Sequence, residues 1–324
     1  MKVSFIAILL FSVGTCAAQD GVLNISFLKN DGRYVAKRDS ADYVRVVSVP
    51  DSGSNLYNIV DYYRNDSKRL IGKTSKIFPP QFEGQCVIFY QNGKKASVVF
   101  YKNGLLVGDE YEFFPNGKLY RQKEFPDDGD KFDDINNNFL IKANYDSLGA
   151  TLVKNGNGYY KGYDGNFKYI EVEGRVRNGK RDSVWKGTNK NLGFTYTENY
   201  KNGIFIEGTS IDKSGQAVTY TKVNVIPPHF KGGDAGFGRY LHNNIKYPEE
   251  ARRVGTQGEV MVSFVVEKDG TVDDVRVARP VGPSIDAEAV RVITNSPRWV
   301  PGMQYGRPVR VMYSVPINFT LPGN

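Results

Sequence analysis

Cysteine and histidine are scarce: the 324-residue chain has two of each. The cysteines are Cys16 and Cys86. If Cys16 leaves with a leader, Cys86 has no internal disulfide partner and cannot build a metal site by itself. A lone thiol is usually a small buried hydrophobe, so the core must hold together by packing. The histidines, His229 and His242, lack the neighbouring cysteines or spaced carboxylates of a metal centre. There is no Gly-x-Ser-x-Gly elbow and no glycine-rich phosphate loop closed by Lys-Ser or Lys-Thr. These absences argue against a hydrolase triad, a metalloenzyme and a nucleotide enzyme. The reading is a non-enzyme without a cofactor. Long hydrophobic runs are missing too: residues 5–13 are apolar but fall short of the roughly 20 residues a spanning helix needs.

That short run follows Lys2 and precedes the small residues Gly14-Thr15-Cys16-Ala17-Ala18. A basic start, an apolar stretch and a small-residue site predict a secretory leader at residues 1–18, cut after Ala18. Two alternatives stay open: an uncleaved inner-membrane anchor, and a lipoprotein acylated at Cys16. The expected location is the periplasm, or the inner membrane if the leader is retained. The net charge is +8, with basic residues spread along the chain rather than clustered. Nucleic acid is therefore not an expected partner.

Residues 19–81 read as a β-rich segment. Tyr43-Val44-Arg45-Val46-Val47-Ser48-Val49 and Tyr57-Asn58-Ile59-Val60-Asp61-Tyr62-Tyr63 have strand composition and end at turn-forming residues. From 82 to 222 an aromatic strand, Asn-Gly and a second strand recur. The turns are Asn92-Gly93, Asn103-Gly104, Asn116-Gly117, Asn178-Gly179 and Asn202-Gly203. Asn-Gly is a strong hairpin signal because both residues accept the positive φ of a type I′ turn. Recurrence predicts stacked antiparallel hairpins. The strand-Asn-Gly-Lys element, followed by a glycine such as Gly108 or Gly187, resembles MORN-type repeats in their degenerate, antitoxin-like envelope form. Residues 126–138 interrupt the pattern with Asp127, Asp128, Asp130, Asp133 and Asp134. The glycine and terminal glutamate of a calcium loop are missing, so this reads as a solvated acidic loop.

Residues 223–228, containing Val225-Ile226-Pro227-Pro228, read as a stiff linker. Residues 229–322 then read as a small α+β domain. Phe237, Leu241 and Ile245 line one face of a helix, with Tyr240 beside them. Pro248 opens a short helix that stops at Gly255. Val260, Val262, Phe264 and Val266 share one face of a strand, and Lys268-Asp269-Gly270 turns into a return strand through Val275 and Val277. Ser284 is expected to cap a helix with Ile285, Ala289, Val292 and Ile293 on its apolar face. In the last strand Val309, Val311, Tyr313, Val315, Ile317 and Phe319 point inward, with Arg310, Met312, Ser314, Pro316 and Asn318 outward. The fold class is thus a mainly β repeat region plus a small α+β C-terminal domain.

The order helix, helix, hairpin, helix, strand resembles the C-terminal domain of TonB. The resemblance is carried by Phe230-Lys231-Gly232-Gly233, Asn244-Ile245-Lys246-Tyr247-Pro248, Gln257-Gly258, Asp269-Gly270, Pro297-Arg298-Trp299, Pro301-Gly302 and Tyr313-Ser314-Val315-Pro316-Ile317. Thr256 departs from it, standing where an aliphatic residue is usual. So does the lack of a long proline-rich spacer, which leaves force transduction in doubt. The resemblance implies a non-catalytic module that adds the TonB-box peptide of outer-membrane transporters beside its last strand. The implied contact residues are Lys246, Tyr247, Val309, Arg310, Val311, Met312, Tyr313, Ser314 and Val315. An ExbB–ExbD-type motor is a further expected partner if the N-terminus is retained. Self-pairing through the last strand into a homodimer is the rival use of that edge. A scaffold joining envelope partners without force is the second functional reading.

Overall fold

A computed structural model describes residues 21–127, 139–221 and 226–321. The leader, most of the acidic stretch and linker residues 223–225 lie outside the described residues. The chain divides into two compact units: residues 1–161 with 176–180, and residues 162–175 with 181–324.

The first unit is an antiparallel meander. Its strands are β1 (Val22–Leu28), β2 (Tyr34–Val35), β3 (Tyr43–Ser48), β4 (Tyr57–Tyr63), β5 (Lys68–Thr74), β6 (Phe82–Phe89), β7 (Lys95–Lys102), β8 (Leu105–Leu106), β9 (Gly108–Phe113), β10 (Leu119–Phe125), β11 (Leu140–Tyr145), β12 (Thr151–Lys154) and β13 (Asn157–Tyr163). The strand expected at 57–63 is β4 itself, and β3 stops one residue short of its expected end. Period-2 alternation puts Val47 opposite Ile59, and both are fully buried with Leu70 beside them. In the same sheet Arg45 stands opposite Asp61 and grips it through two hydrogen bonds of 2.7 and 2.9 Å. Arg69 adds a third bond at 3.3 Å, and Asp61 is wholly shielded from solvent.

The Asn-Gly turns are of two kinds, which corrects the expectation of type I′ throughout. Asn103-Gly104, Asn155-Gly156, Asn178-Gly179 and Asn202-Gly203 do have positive φ at both residues. At Asn92-Gly93 and Asn116-Gly117 only the glycine does. There the loop is one residue longer. Tyr90 and Lys94 close it by backbone pairing, and Gly93 takes the left-handed bulge position after a type I turn. The asparagine of these turns accepts from the Lys94 or Lys118 amide through Oδ1. Its Nδ2 is thereby turned outward, and donates to the next turn: Asn92 to the Pro115 carbonyl, Asn116 to that of Ser147, both at 3.0 Å. Lysine repeats the step, Lys94 Nζ reaching the Asn116 carbonyl and Lys118 Nζ that of Leu148. At residues 92–94 and 116–118 the Asn-Gly-Lys turn thus caps the turn that follows it.

The second unit contains β14 (Ile170–Arg177, whose last two residues group with the first unit), β15 (Lys180–Asn189), β16 (Phe194–Lys201), β17 (Ile204–Asp212) and β18 (Ala217–Tyr220). β15 through β18 pair in order, antiparallel. Aromatic rings lie across glycines on the facing strand. Tyr196 stands opposite Gly187 and Tyr220 opposite Gly208, and a Cβ at either glycine would come within 2.3 Å of the ring. The pattern of aromatics and glycines thus comes from rings needing a bare backbone to lie on. Glu198, buried between them, accepts from the hydroxyls of Tyr200 and Tyr220 at 2.9 Å.

The same unit continues with α1 (Gly233–Asn244), α2 (Glu249–Val254), β19 (Gly258–Val266), β20 (Val272–Arg279), α3 (Pro283–Thr294), β21 (Gly302–Gln304), β22 (Arg307–Val309) and β23 (Val311–Phe319). The sheet order is β20–β19–β23. One core joins Val260, Val262, Phe264 and Val266 of β19, Ile285, Ala289, Val292 and Ile293 of α3, and Val315, Ile317 and Phe319 of β23. Trp299 plugs it against Phe230, Phe237 and Phe264. Four details differ from expectation. Gly282, not Ser284, is the N-cap of α3, because Pro283 fills the first helical position where its missing N–H costs nothing. Pro248 likewise caps α2 rather than opening it. Ile226 and His229 form bridges with Met303 and Val300, so this part of the linker is pinned by backbone hydrogen bonds. The last strand begins at Val311, because Val309 belongs to the separate hairpin of β21 and β22.

Candidate functional site

β23 is an edge strand. Its register against β19 runs unbroken from Gly258 opposite Phe319 to Val266 opposite Val311. Among the described residues no strand pairs with its other side. Pro316 sits within it. A proline in a sheet is tolerated where its missing N–H faces away from the ladder. Backbone donors alternate in direction along a strand, and this register has no bulge. The amides of Met312 and Ser314 therefore point to the open side with position 316, and those of Val311, Tyr313, Val315 and Ile317 point into the ladder.

The side chains alternate in the same way. Val315 is buried, and the ring of Tyr313 packs 6.0 Å from Trp299. On the helix-free face Met312 is 58% exposed, with its sulfur 3.6 Å from an Arg276 guanidinium nitrogen. Ser314 shares a 2.7 Å hydrogen bond with Ser263 across the ladder. Arg310 lies in the link before β23 and donates to Glu267 at 2.5 Å, an ion pair that raises the guanidinium pKa further. Val309 is buried opposite Gly302 and offers no contact surface.

Lys246 and Tyr247 stand apart from these. The Tyr247 ring packs on Phe319, and its hydroxyl donates to the Thr256 carbonyl. Phe319 is eight residues along β23 from Val311, about 26 Å at the usual rise per residue. Tyr247 is thus part of the module's packing at the far end of the strand. Lys246 is exposed, but its amide is tied to the Glu288 carboxylate at 2.6 Å. Glu288 also accepts two bonds from Arg291. Burial pushes its pKa up, but the Arg291 hydrogen bonds, the Lys246 amide and the positive charges outweigh that and hold it below the usual glutamate value. Glu288 fixes the end of α1 to α3, a role invisible in a sequence separation of 42 residues.

Among the described residues no helix is long and apolar enough to cross a membrane. No cluster of three or more His, Cys, Asp or Glu among them could hold a metal ion. Comparison with curated proteins gives no match. Residues 243–321, from the end of α1 past the end of β23, match the family described as the Gram-negative bacterial TonB protein C-terminal, and the C-terminal module is a domain of that family.

Proposed function

We propose that this is a TonB-family envelope protein whose C-terminal domain binds the periplasmic segment of outer-membrane transporters by strand addition at β23. The observation that carries the reading is the open edge of β23 in a domain of TonB type. An incoming extended peptide would pair with the free donors of Met312 and Ser314 and the carbonyls on that side. Backbone pairing supplies affinity, and Met312, Ser314 and Arg310 supply selectivity. Pairing fades at Pro316, which has no donor to offer. The protein works in the periplasm, and the MORN-like hairpins serve as its second attachment surface.

A non-energising scaffold is the second reading. It is favoured by the packing of the hairpin at Tyr305 into β16 and β18, since a flexible tether is what a force transducer is expected to carry. Cell fractionation separates the two readings. A transducer stays in the inner membrane beside an ExbB–ExbD-type motor, and a scaffold is soluble or bound elsewhere in the envelope. Strand addition itself is tested by hydrogen exchange of the full chain with synthetic N-terminal peptides of outer-membrane transporters. Slowed exchange at Met312 and Ser314 is expected. Unchanged exchange there at saturating peptide rules the site out, and slowing that depends on protein concentration alone marks a homodimer through the same edge.

A further inference from the structure

The hairpin immediately before β23 carries an unusual residue at its tip. Gln304 pairs with Arg307, leaving Tyr305 and Gly306 as a two-residue turn with φ of +51° and +72°. This is the type I′ turn, whose first position favours Asn, Asp or Gly. A bulky residue at positive φ is strained there unless its surroundings hold it. Here they do. The Tyr305 ring lies 4.5 Å from Tyr196, 5.2 Å from Phe194 and 5.8 Å from Tyr220, in a socket formed by β16 and β18. Ser210 of β17 donates to the Tyr305 carbonyl at 2.9 Å.

Arg307 completes the contact. Its Nε donates to Ser210 Oγ at 2.8 Å, Nη1 to Asp212 at 2.9 Å, and Nη2 to the Ser210 carbonyl at 3.1 Å and to the Gln216 carbonyl. Its side chain is only 15% exposed. A guanidinium that spends its donors on one hairpin, that of β17 and β18, is a specific latch rather than a surface ion pair. Tyr305 and Arg307 belong to the C-terminal module, and every partner named here to the last repeat strands of the same compact unit.

We propose that this hairpin is a clamp that makes the C-terminal module and strands β16–β18 one cooperative folding unit, so that a load or ligand at β23 is felt in the repeats. β22 runs through the single residue Arg310 into β23, so the seated tip fixes the start of the edge strand. Without the clamp the C-terminal module would unfold independently of β16–β18.

The chain's two tryptophans report the two sides. Trp185 is buried in β15, and Trp299 is buried in the core of the C-terminal module. The full chain labelled with 5-fluorotryptophan is followed by fluorine NMR through a urea titration, with no substitution needed for the reporters. In the unaltered protein both signals should change at one midpoint. Tyr305→Asn keeps a residue the turn favours and removes only the ring. It should separate the two midpoints by about 0.5 M urea or more. Arg307→Ala should do the same. Two distinct midpoints in the unaltered protein would overturn the proposal, as would coincident midpoints in Tyr305→Asn. None of these outcomes depends on whether a transporter peptide binds β23.

Discussion

Lys94 and Asn116 lie 22 residues apart, yet the Lys94 ammonium sits 2.8 Å from the Asn116 carbonyl oxygen. The bond ties one turn to the next, and Asn92 adds a second tie beside it. Stability of this part of the protein should therefore respond to exposed turn side chains. Lys94→Met is expected to cost up to about 1 kcal/mol, and Asn92→Ala about 1–2 kcal/mol because it removes two bonds. Urea unfolding of the full chain measures both. A neutral Asn92→Ala would mean that the ladder is decorative.

The buried Arg45–Asp61–Arg69 cluster makes a larger prediction. Asp61→Ala leaves two guanidinium groups beside an empty site in the sheet interior. Breaking a buried pair in this way costs about 3–5 kcal/mol. Thermal denaturation should show the loss as a large drop in Tm, while Arg33→Ala, an exposed partner of Asp31, should change little.

Along β23 the alternation of donors predicts opposite outcomes for neighbouring prolines. Met312→Pro and Ser314→Pro should leave the module folded and weaken transporter-peptide binding at least tenfold. Tyr313→Pro removes a ladder donor and should unfold the module. Circular dichroism with peptide titration distinguishes the two classes. If Met312→Pro unfolds the module and Tyr313→Pro does not, the free edge has been assigned to the wrong donors.

Glu288 sets a pH dependence. Its folded pKa lies below the usual glutamate value, so its contribution to stability is complete above the unfolded value. That contribution fades as pH falls through the lower, folded pKa. Stability of the chain should therefore decline from about pH 4.5 downward, and Glu288→Gln should flatten the decline. Equal slopes for both proteins, measured by urea unfolding at several pH values, would remove this carboxylate from the explanation.

Cys86 is fully buried, and burial pushes its thiol up to about 11. Maleimide should leave it unmodified in the native protein and label it in urea, as intact mass will show. Its sulfur also fills the space beside Gly72, where a Cβ would stand 2.3 Å away. Gly72→Ala should expose the thiol to labelling.

Much of this architecture was readable in the residues. The β3 and β4 strands, the amphipathic α1 and α3, and the alternation of β23 follow from apolar spacing alone. Asn-Gly marked the turns but not their kind, because the kind depends on where strand pairing resumes, and one extra loop residue at Asn92 changes it. The linker's prolines gave no hint that Ile226 and His229 would bridge to residues 300–303. Nothing in the spacing around Glu288 points to the Lys246 amide, since that bond comes from packing across 42 residues. The largest omission was the β21–β22 hairpin. Tyr305 hides it, because a tyrosine at the first turn position carries none of the usual turn chemistry; the signal was Gly306 followed by Arg307-Pro308-Val309.

The turn ladder has a consequence for how such a chain can change length. The Asn-Gly-Lys turns at 92–94 and 116–118 aim their donors at the carbonyls of the turn that follows, so a single inserted residue would put one turn out of phase with its neighbours. Duplicating a whole pair of hairpins would keep every tie intact. Growth and loss by complete units is thus the permitted route, which would let the first unit span different distances while the TonB-type domain stays the same.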